Sequence, residues 1–316
     1  MPTNYKKKIL LIGSSGYIGN AFLDYLKKDN KIDVNLIYNK KSNSSFYRNR
    51  SNTYDIEKID KRFLRMFKKI DLIYFLASSE NTYLNDSFRI DNYITNLLLK
   101  VINLVMRYNK KTKMIYMSSE NAHGNKKNIK DSPLNIYGIE KLFNEKIIEI
   151  FSHNYNLNLL SLRLSNIYGF TYNLNNNLKS SLNRIIINLI KNNEINLYKN
   201  KNCFRSFTHI DDICKLLIKL IYKKEIYNGN VYYFGNCEKK TINQVISIIK
   251  KRYNKEYSNE IKLNMNYKPL SIFEMRNFYL TKKNNLAYIL GLIKIKNIKD
   301  GIADLISDYK IYYKKQ

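Results

Sequence analysis

Tyr137 and Lys141 lie one helical turn apart in the run Tyr137-Gly138-Ile139-Glu140-Lys141, and an apolar stretch ending in Ser118-Ser119 precedes them. Residues four apart share a helix face, so an ammonium can stand beside a phenol. An isolated phenol titrates near ~10 and is a poor base at neutral pH. A fixed positive charge beside it favours the phenolate and brings general acid/base chemistry into the working range. In a chain with 28 Tyr and 55 Lys plus Arg the spacing alone discriminates little. Its weight depends on the elements that position it.

The first of these elements is Ile9-Leu10-Leu11-Ile12, a continuous apolar run of the kind a strand buried on both faces shows. Gly13-Ser14-Ser15-Gly16-Tyr17-Ile18-Gly19 follows, then the apolar-periodic Ala21, Phe22 and Leu26. Strand, glycine turn and helix in that order bring backbone N–H groups and a helix N-terminus against a pyrophosphate. The alternative is an ordinary tight turn. Three of the chain's 10 Gly fall in these seven positions, which favours the phosphate reading.

Val34–Tyr38, Leu72–Ala77, Lys113–Met117 and Leu157–Leu162 read as further strands, and Phe22–Lys28, Ile94–Tyr108 and Ile136–Ile150 as helices. Strands separated by helices predict parallel pairing through right-handed crossovers, hence an α/β, doubly wound, Rossmann-type sheet with a smaller C-terminal lobe. The expected division is 1–169, joined by 205–238, against 170–204 and 239–316, with Val231–Phe234 returning to the sheet. Ligands bind at the carboxyl ends of such strands, where Gly13, Ala77-Ser78 and Ser118-Ser119 all fall. Asn173-Leu174-Asn175-Asn176-Asn177 reads as a mobile polar loop on the substrate side.

With these motifs in order, the chain resembles an extended short-chain dehydrogenase/reductase of the nucleotide-sugar epimerase, dehydratase and reductase family. Asp55-Ile56 resembles the family's adenine-contacting pair, and Leu76-Ala77-Ser78 its cofactor segment on the next strand. Ser118-Ser119-Glu120-Asn121-Ala122-His123-Gly124 resembles Ser-Ser-x-x-Val-Tyr-Gly. Arg163-Leu164-Ser165-Asn166-Ile167-Tyr168-Gly169 resembles Arg-x-x-Asn-Val-Tyr-Gly. Arg205-Ser206-Phe207-Thr208-His209-Ile210-Asp211-Asp212 resembles Arg-Asp-Phe-x-x-Val-Asp-Asp. Leu290-Gly291 and Gly301-Ile302 extend the likeness to the C-terminal part.

The resemblance implies Tyr137 as general acid/base, Lys141 as holder of the ribose and partner of the phenol, and Ser119 as orienter of the reacting oxygen. It implies cofactor contacts from Gly13, Ser15, Gly16, Tyr17, Ile18, Gly19, Asp55, Ile56, Leu76, Ala77 and Ser78. Substrate contacts are expected from Ser119, Glu120, Asn121 and Asn166, with Arg205 and Arg276 as candidates for the diphosphate. Glu120 and Asn121 stand where dehydratases of the family carry an acid and a Glu base. A carboxamide cannot abstract a carbon-bound proton, so plain water elimination is disfavoured. The other reading of Glu120 is a hydrogen-bonding residue at a strand end.

An Asp at the end of the second strand would bind ribose hydroxyls. Here Asn39-Lys40-Lys41 follows Tyr38, which suits the additional phosphate of NADP, unless these are two more surface lysines. The expectation is a reductase of a nucleotide-activated keto-sugar using NADP, or NAD. An epimerase with tightly held NAD is the close alternative, and a non-catalytic binder of nucleic acid or protein the distant one. The broader setting implied is cell-surface polysaccharide biosynthesis. The family's pairing of the helices at Ile94–Tyr108 and Ile136–Ile150 implies a homodimer.

The formal net charge of +29 suggests a nucleic-acid partner at first sight. The lysines are spread along all segments, no block exceeds Lys6-Lys7-Lys8, and Asn, Ile and Tyr are interleaved with them. Drift toward AT-rich codons accounts for this better, and the positive field then serves to attract anionic nucleotide sugars. No window approaches the ~18 to 20 apolar residues of a membrane span, and no signal-peptide pattern opens the chain, so a cytoplasmic protein without a membrane partner is expected. Cys203, Cys214 and Cys237, like the three His, lack metal-ligand spacing, so no metal is expected.

Overall fold

The computed structural model describes all residues except 1–5, 39–43, 48–49, 51, 79–91, 126–129, 199–202, 258–260, 267–277, 283–284, 292–293 and 315–316. In chain order the first elements are β1 (Lys7–Ile12), α1 (Tyr17–Leu26), β2 (Ile32–Tyr38), α2 (Ser44–Tyr47), β3 (Thr53–Asp55), α3 (Lys61–Phe67), β4 (Leu72–Phe75), α4 (Tyr93–Tyr108), β5 (Lys113–Ser119), α5 (Ile136–Tyr155) and β6 (Leu159–Leu164). There follow β7 (Asn166–Tyr168), α6 (Leu174–Asn177), α7 (Ser181–Asn192), β8 (Glu194–Tyr198), β9 (Phe204–Arg205), β10 (Phe207–His209), α8 (Ile210–Leu220) and β11 (Val231–Phe234). The chain ends in β12 (Lys240–Thr241), α9 (Ile242–Tyr257), β13 (Lys262–Asn266), α10 (Leu286–Leu290) and α11 (Ile298–Lys314).

Seven strands form one sheet in the order β11-β6-β5-β4-β1-β2-β3, the doubly wound arrangement expected. β1 pairs in parallel with both β2 and β4, and β4 with β5. The strand order reverses direction at β1, so the carboxyl ends of β1 and β4 flank a crevice, the usual ligand position in such sheets. Val231–Phe234 returns to the sheet, as expected, and lies at its edge. Ile9, Leu10, Leu11 and Ile12 are all buried, which explains their uninterrupted apolar run.

The chain forms two compact units, one of residues 1–122, 136–163 and 217–232, the other of 123–135, 164–216 and 233–316. In the first, Ile94, Leu98, Val101 and Val105 of α4 pack with Ile147 and Ile148 of α5 against Ile73, Phe75, Met114 and Tyr116 of the sheet. In the second, Ile186 and Leu189 of α7, Val245 and Ile249 of α9, and Ile302, Leu305 and Tyr309 of α11 share a core. Local boundaries differ from the periodicity reading in instructive ways. β4 stops at Phe75, but the Leu76 N–H still donates to the Ile12 carbonyl (2.8 Å), so the segment after the strand stays tied to β1. The Asn173–Asn177 segment is a capped helical turn, not a mobile loop. The buried Asn177 side chain accepts from the Thr171 N–H (2.9 Å) and donates to its carbonyl (2.8 Å), so polar residues here satisfy a buried backbone.

His209 on β10 is buried beside Tyr168, with ring centroids 5.2 Å apart. Burial pushes its imidazole down to about 4; Asp211 acts in the opposite direction and Lys296 adds to the lowering. The unfolded chain therefore takes up this proton at higher pH than the folded one. Stability is full above ~6.5, the ordinary histidine value. It is lost as the pH falls toward about 4. Thermal melts of the protein and of His209→Gln between these limits should show the midpoint of the former falling more steeply with acid. Parallel slopes would contradict a neutral buried imidazole.

Candidate active site

Every described candidate for cofactor and proton chemistry falls in the first unit. Gly13 ends β1 at φ +87°, and a Cβ there would stand 2.5 Å from the Ala77 nitrogen. A Cβ on Gly19 would stand 2.2 Å from the Gly13 carbonyl oxygen, so only glycine lets α1 approach the turn this closely. Gly16 caps α1 with no side-chain hydrogen bond, and the first turn of α1 carries no acid. The helix N-terminus thus keeps its positive end toward the turn that Ser14, Ser15 and Gly16 form. This cradle fits the pyrophosphate of a dinucleotide.

Around it, Tyr17 is buried at the helix start while Ile18 belongs to the first turn of α1. The half-buried Asp55 carboxylate accepts from the Glu57 N–H (2.9 Å), and the Ile56 side chain is in the core. Ala77 is half-buried and Ser78 exposed just beyond β4. Asn39, Lys40, Lys41 and Arg276, which carried the phosphate-selection and second diphosphate readings, lie outside the described residues.

β5 delivers Ser118 and Ser119 to the carboxyl edge of the sheet, and the chain then turns through a single 3₁₀ turn, Glu120–Ala122. The Ser119 hydroxyl oxygen accepts from the Asn121 N–H (3.2 Å). Glu120 and Asn121 are buried, so both belong to the interior of this turn. α5 packs on the turn and on β5. It brings in Tyr137, which is largely buried, and Lys141, which is more deeply so. The Lys141 ammonium donates to the Met117 carbonyl (2.9 Å) and stands 5.4 Å from the centroid of the Tyr137 ring. Burial works against its charge, but Tyr116, Tyr137 and Glu140 outweigh that and hold the proton above the ordinary lysine range. The i,i+4 pairing read from the spacing is therefore realised as a buried, permanently charged ammonium against a phenol.

One residue with structural weight lies outside the motifs. Glu145, one further turn along α5, accepts from the Ser118 hydroxyl and from both arms of Arg163 on β6, Nε at 2.8 Å and Nη2 at 2.5 Å. All three groups are buried. The signal was there: Glu145 continues the Tyr137, Lys141 stripe at i+8, and a carboxylate facing inward on that stripe requires a cation.

Of the described substrate-side candidates, Ser119, Glu120 and Asn121 belong to the first unit, and Asn166 and Arg205 to the second. Asn166 opens β7, and its side-chain N–H donates to the Ser206 carbonyl (3.0 Å) in the parallel pairing with β10. Arg205 is buried, with one arm donating to the Phe204 carbonyl (3.0 Å), and so is not a solvated surface charge. Among the described residues no group of three or more His, Cys, Asp or Glu is placed to hold a metal ion, and no helix is long and apolar enough to cross a membrane.

The model of the NAD dependent epimerase/dehydratase family matches residues 9–235. Protein CapI of Staphylococcus aureus is 24% identical, with 98% of this chain and 100% of that protein covered. The UDP-glucose 4-epimerase of Mycoplasma genitalium is 23% identical over 98% of each chain. A crystal structure of the UDP-glucuronic acid 4-epimerase of Bacillus cereus, in complex with UDP-glucuronic acid and NAD, superposes with a TM-score of 0.76. It is 20% identical, covering 97% of this chain and 100% of that one.

Proposed function

We propose, for a chain that belongs to the NAD dependent epimerase/dehydratase family, that it exchanges a hydride between a nicotinamide dinucleotide and a carbinol of a nucleotide-activated sugar, and runs this exchange as an epimerase. The observation that carries the reading is the buried Lys141 ammonium against the Tyr137 ring, in the unit that also holds the glycine cradle. A protein that merely bound a dinucleotide has no use for a phenol paired with a fixed cation.

Tyr137, as phenolate, takes the proton of the sugar hydroxyl while the carbon–hydrogen bond breaks and a ketone forms. Ser119 donates to the carbonyl oxygen and holds it in line. Lys141 keeps a positive charge beside the phenolate and holds the ribose. Tyr137 returns its proton to the oxygen once the hydride has come back to the opposite face of the carbon. The dinucleotide, when bound, accepts the hydride and gives it back, held by the cradle of Gly13, Ser15, Gly16 and Gly19.

Epimerisation is favoured by the activities of the M. genitalium and B. cereus proteins, and Asn121 offers no base for elimination. Reduction of a keto-sugar with NADP remains the second reading, favoured by Lys40 and Lys41 after β2 with no carboxylate among them. Incubating the purified protein with UDP-hexoses and no added cofactor separates the two. Interconversion of sugar isomers, with NAD released on acid denaturation, supports the epimerase. Activity only with added NADPH, consumed one per product, supports the reductase. No change in any sugar under either condition would refute both.

The same reading implies a homodimer built on α4 and α5. Ile139, Phe143 and Ile150 on one side of α5 are each more than half exposed, an unusual apolar content for a solvated face. Light scattering is expected to give twice the 37.7 kDa chain mass, and Phe143→Lys to lower it. A concentration-independent monomer would refute the dimer.

A further inference from the structure

Lys141 carries the weight of the mechanism, yet a lysine has four rotatable bonds and an isolated ammonium fixes none of them. The Met117 carbonyl takes one of its N–H groups. The face of Tyr116 on β5 lies beneath it, with the ammonium 4.9 Å from the ring centroid and hydrogen-bonded to the phenol oxygen. Tyr116 is completely buried, and a buried hydroxyl needs partners. It accepts from the Asn144 side-chain N–H (3.1 Å), and the Asn144 carbonyl oxygen in turn accepts from the Thr95 hydroxyl on α4 (2.9 Å). The Thr95 contact determines which end of the carboxamide faces Tyr116. A single hydrogen-bonded line therefore runs from α4, through α5, to the end of β5 and the lysine. It passes through none of the family motifs.

We propose that Tyr116, held by Asn144 and through it by Thr95, is a positioning residue that fixes the Lys141 ammonium for both the ribose and the Tyr137 phenol. Burial raises the Tyr116 phenol to about 12, with Lys141 and Asn144 opposing the rise, so it stays a neutral hydroxyl at working pH. It orients charge and does not carry it. A carboxamide in the line also makes proton relay along it ineffective, which leaves alignment as its role. The inference rests on the functional reading above, in which Lys141 holds the dinucleotide.

Tyr116→Phe keeps the ring beneath the ammonium and removes only the hydroxyl. Dinucleotide affinity, measured by fluorescence titration, is expected to fall about tenfold, the effect of one hydrogen bond to a charged group. Turnover at saturating dinucleotide is expected to fall with it, because the ammonium no longer holds one place against the Tyr137 ring. Asn144→Leu should match it, Thr95→Val should fall part way, and Thr95→Ser, which keeps the hydroxyl, should behave as the unaltered protein. A Tyr116→Phe protein with unchanged affinity and turnover, while the unaltered protein binds dinucleotide, would overturn this inference alone. Equal losses in Thr95→Ser and Thr95→Val would also overturn it, since packing and not the hydroxyl would then be at work. An unaltered protein that binds no dinucleotide would overturn the functional reading, and this inference with it.

Discussion

Tyr137→Phe is expected to lower turnover by about 10²- to 10⁴-fold, the range that one positioned acid/base supplies, while leaving the fold and dinucleotide binding intact. The ring stays, so its packing on the Lys141 ammonium is kept, and the lysine still reaches the Met117 carbonyl. What is lost is the phenol oxygen that takes the proton of the sugar hydroxyl in the proposed reaction. The loss should appear in kcat with little change in KM, because the phenol acts on the transition state and not on the bound sugar. Steady-state kinetics of the two proteins, with dinucleotide affinity as the control, measure this directly. A variant keeping more than a tenth of the activity would remove Tyr137 from the mechanism.

Glu145→Ala should produce the largest stability change, about 3–5 kcal/mol, because it leaves the Arg163 guanidinium buried without its counter-charge. Arg163 and Glu145 are each almost wholly inaccessible, and the pair is bidentate, so solvent cannot replace the lost carboxylate. The Ser118 hydroxyl loses its acceptor in the same step, next to Ser119 at the strand end. Urea unfolding of the single variant and of Glu145→Leu with Arg163→Met distinguishes this cause from a cavity. The double variant should recover most of the loss, since an apolar pair of similar volume carries no buried charge. A single-variant loss under about 1 kcal/mol would place the pair in the class of solvated bridges.

Much of this fold is readable in the chain because the relevant signals are local. The run Ile9–Ile12 and the glycines that follow it specify a buried strand and a close turn within eleven residues, and β1, Gly13 and α1 are built that way. Tyr137 and Lys141 share a helix face, so their meeting needed only the helix. Glu145 and Arg163 are different. They lie 18 residues apart on α5 and β6, and nothing in either segment states which buried cation answers which buried acid. Tyr116 reads as one more apolar strand residue, and its role depends on Asn144 and Thr95, which α5 and α4 bring to it from elsewhere. Asn173–Asn177 misled by composition: polar residues that usually coat a loop here bond a buried backbone.

In the proposed reaction hydride leaves a sugar carbon while Tyr137 takes the hydroxyl proton. The most direct measurement mixes the dinucleotide-loaded protein rapidly with nucleotide sugars and follows the absorbance of reduced nicotinamide. Reduced nicotinamide is expected to form within a single turnover, more slowly with deuterium on the oxidised carbon and not at all in Tyr137→Phe. Oxidised nicotinamide that stays unchanged across a panel of nucleotide sugars, on a protein shown to hold both ligands, would contradict it.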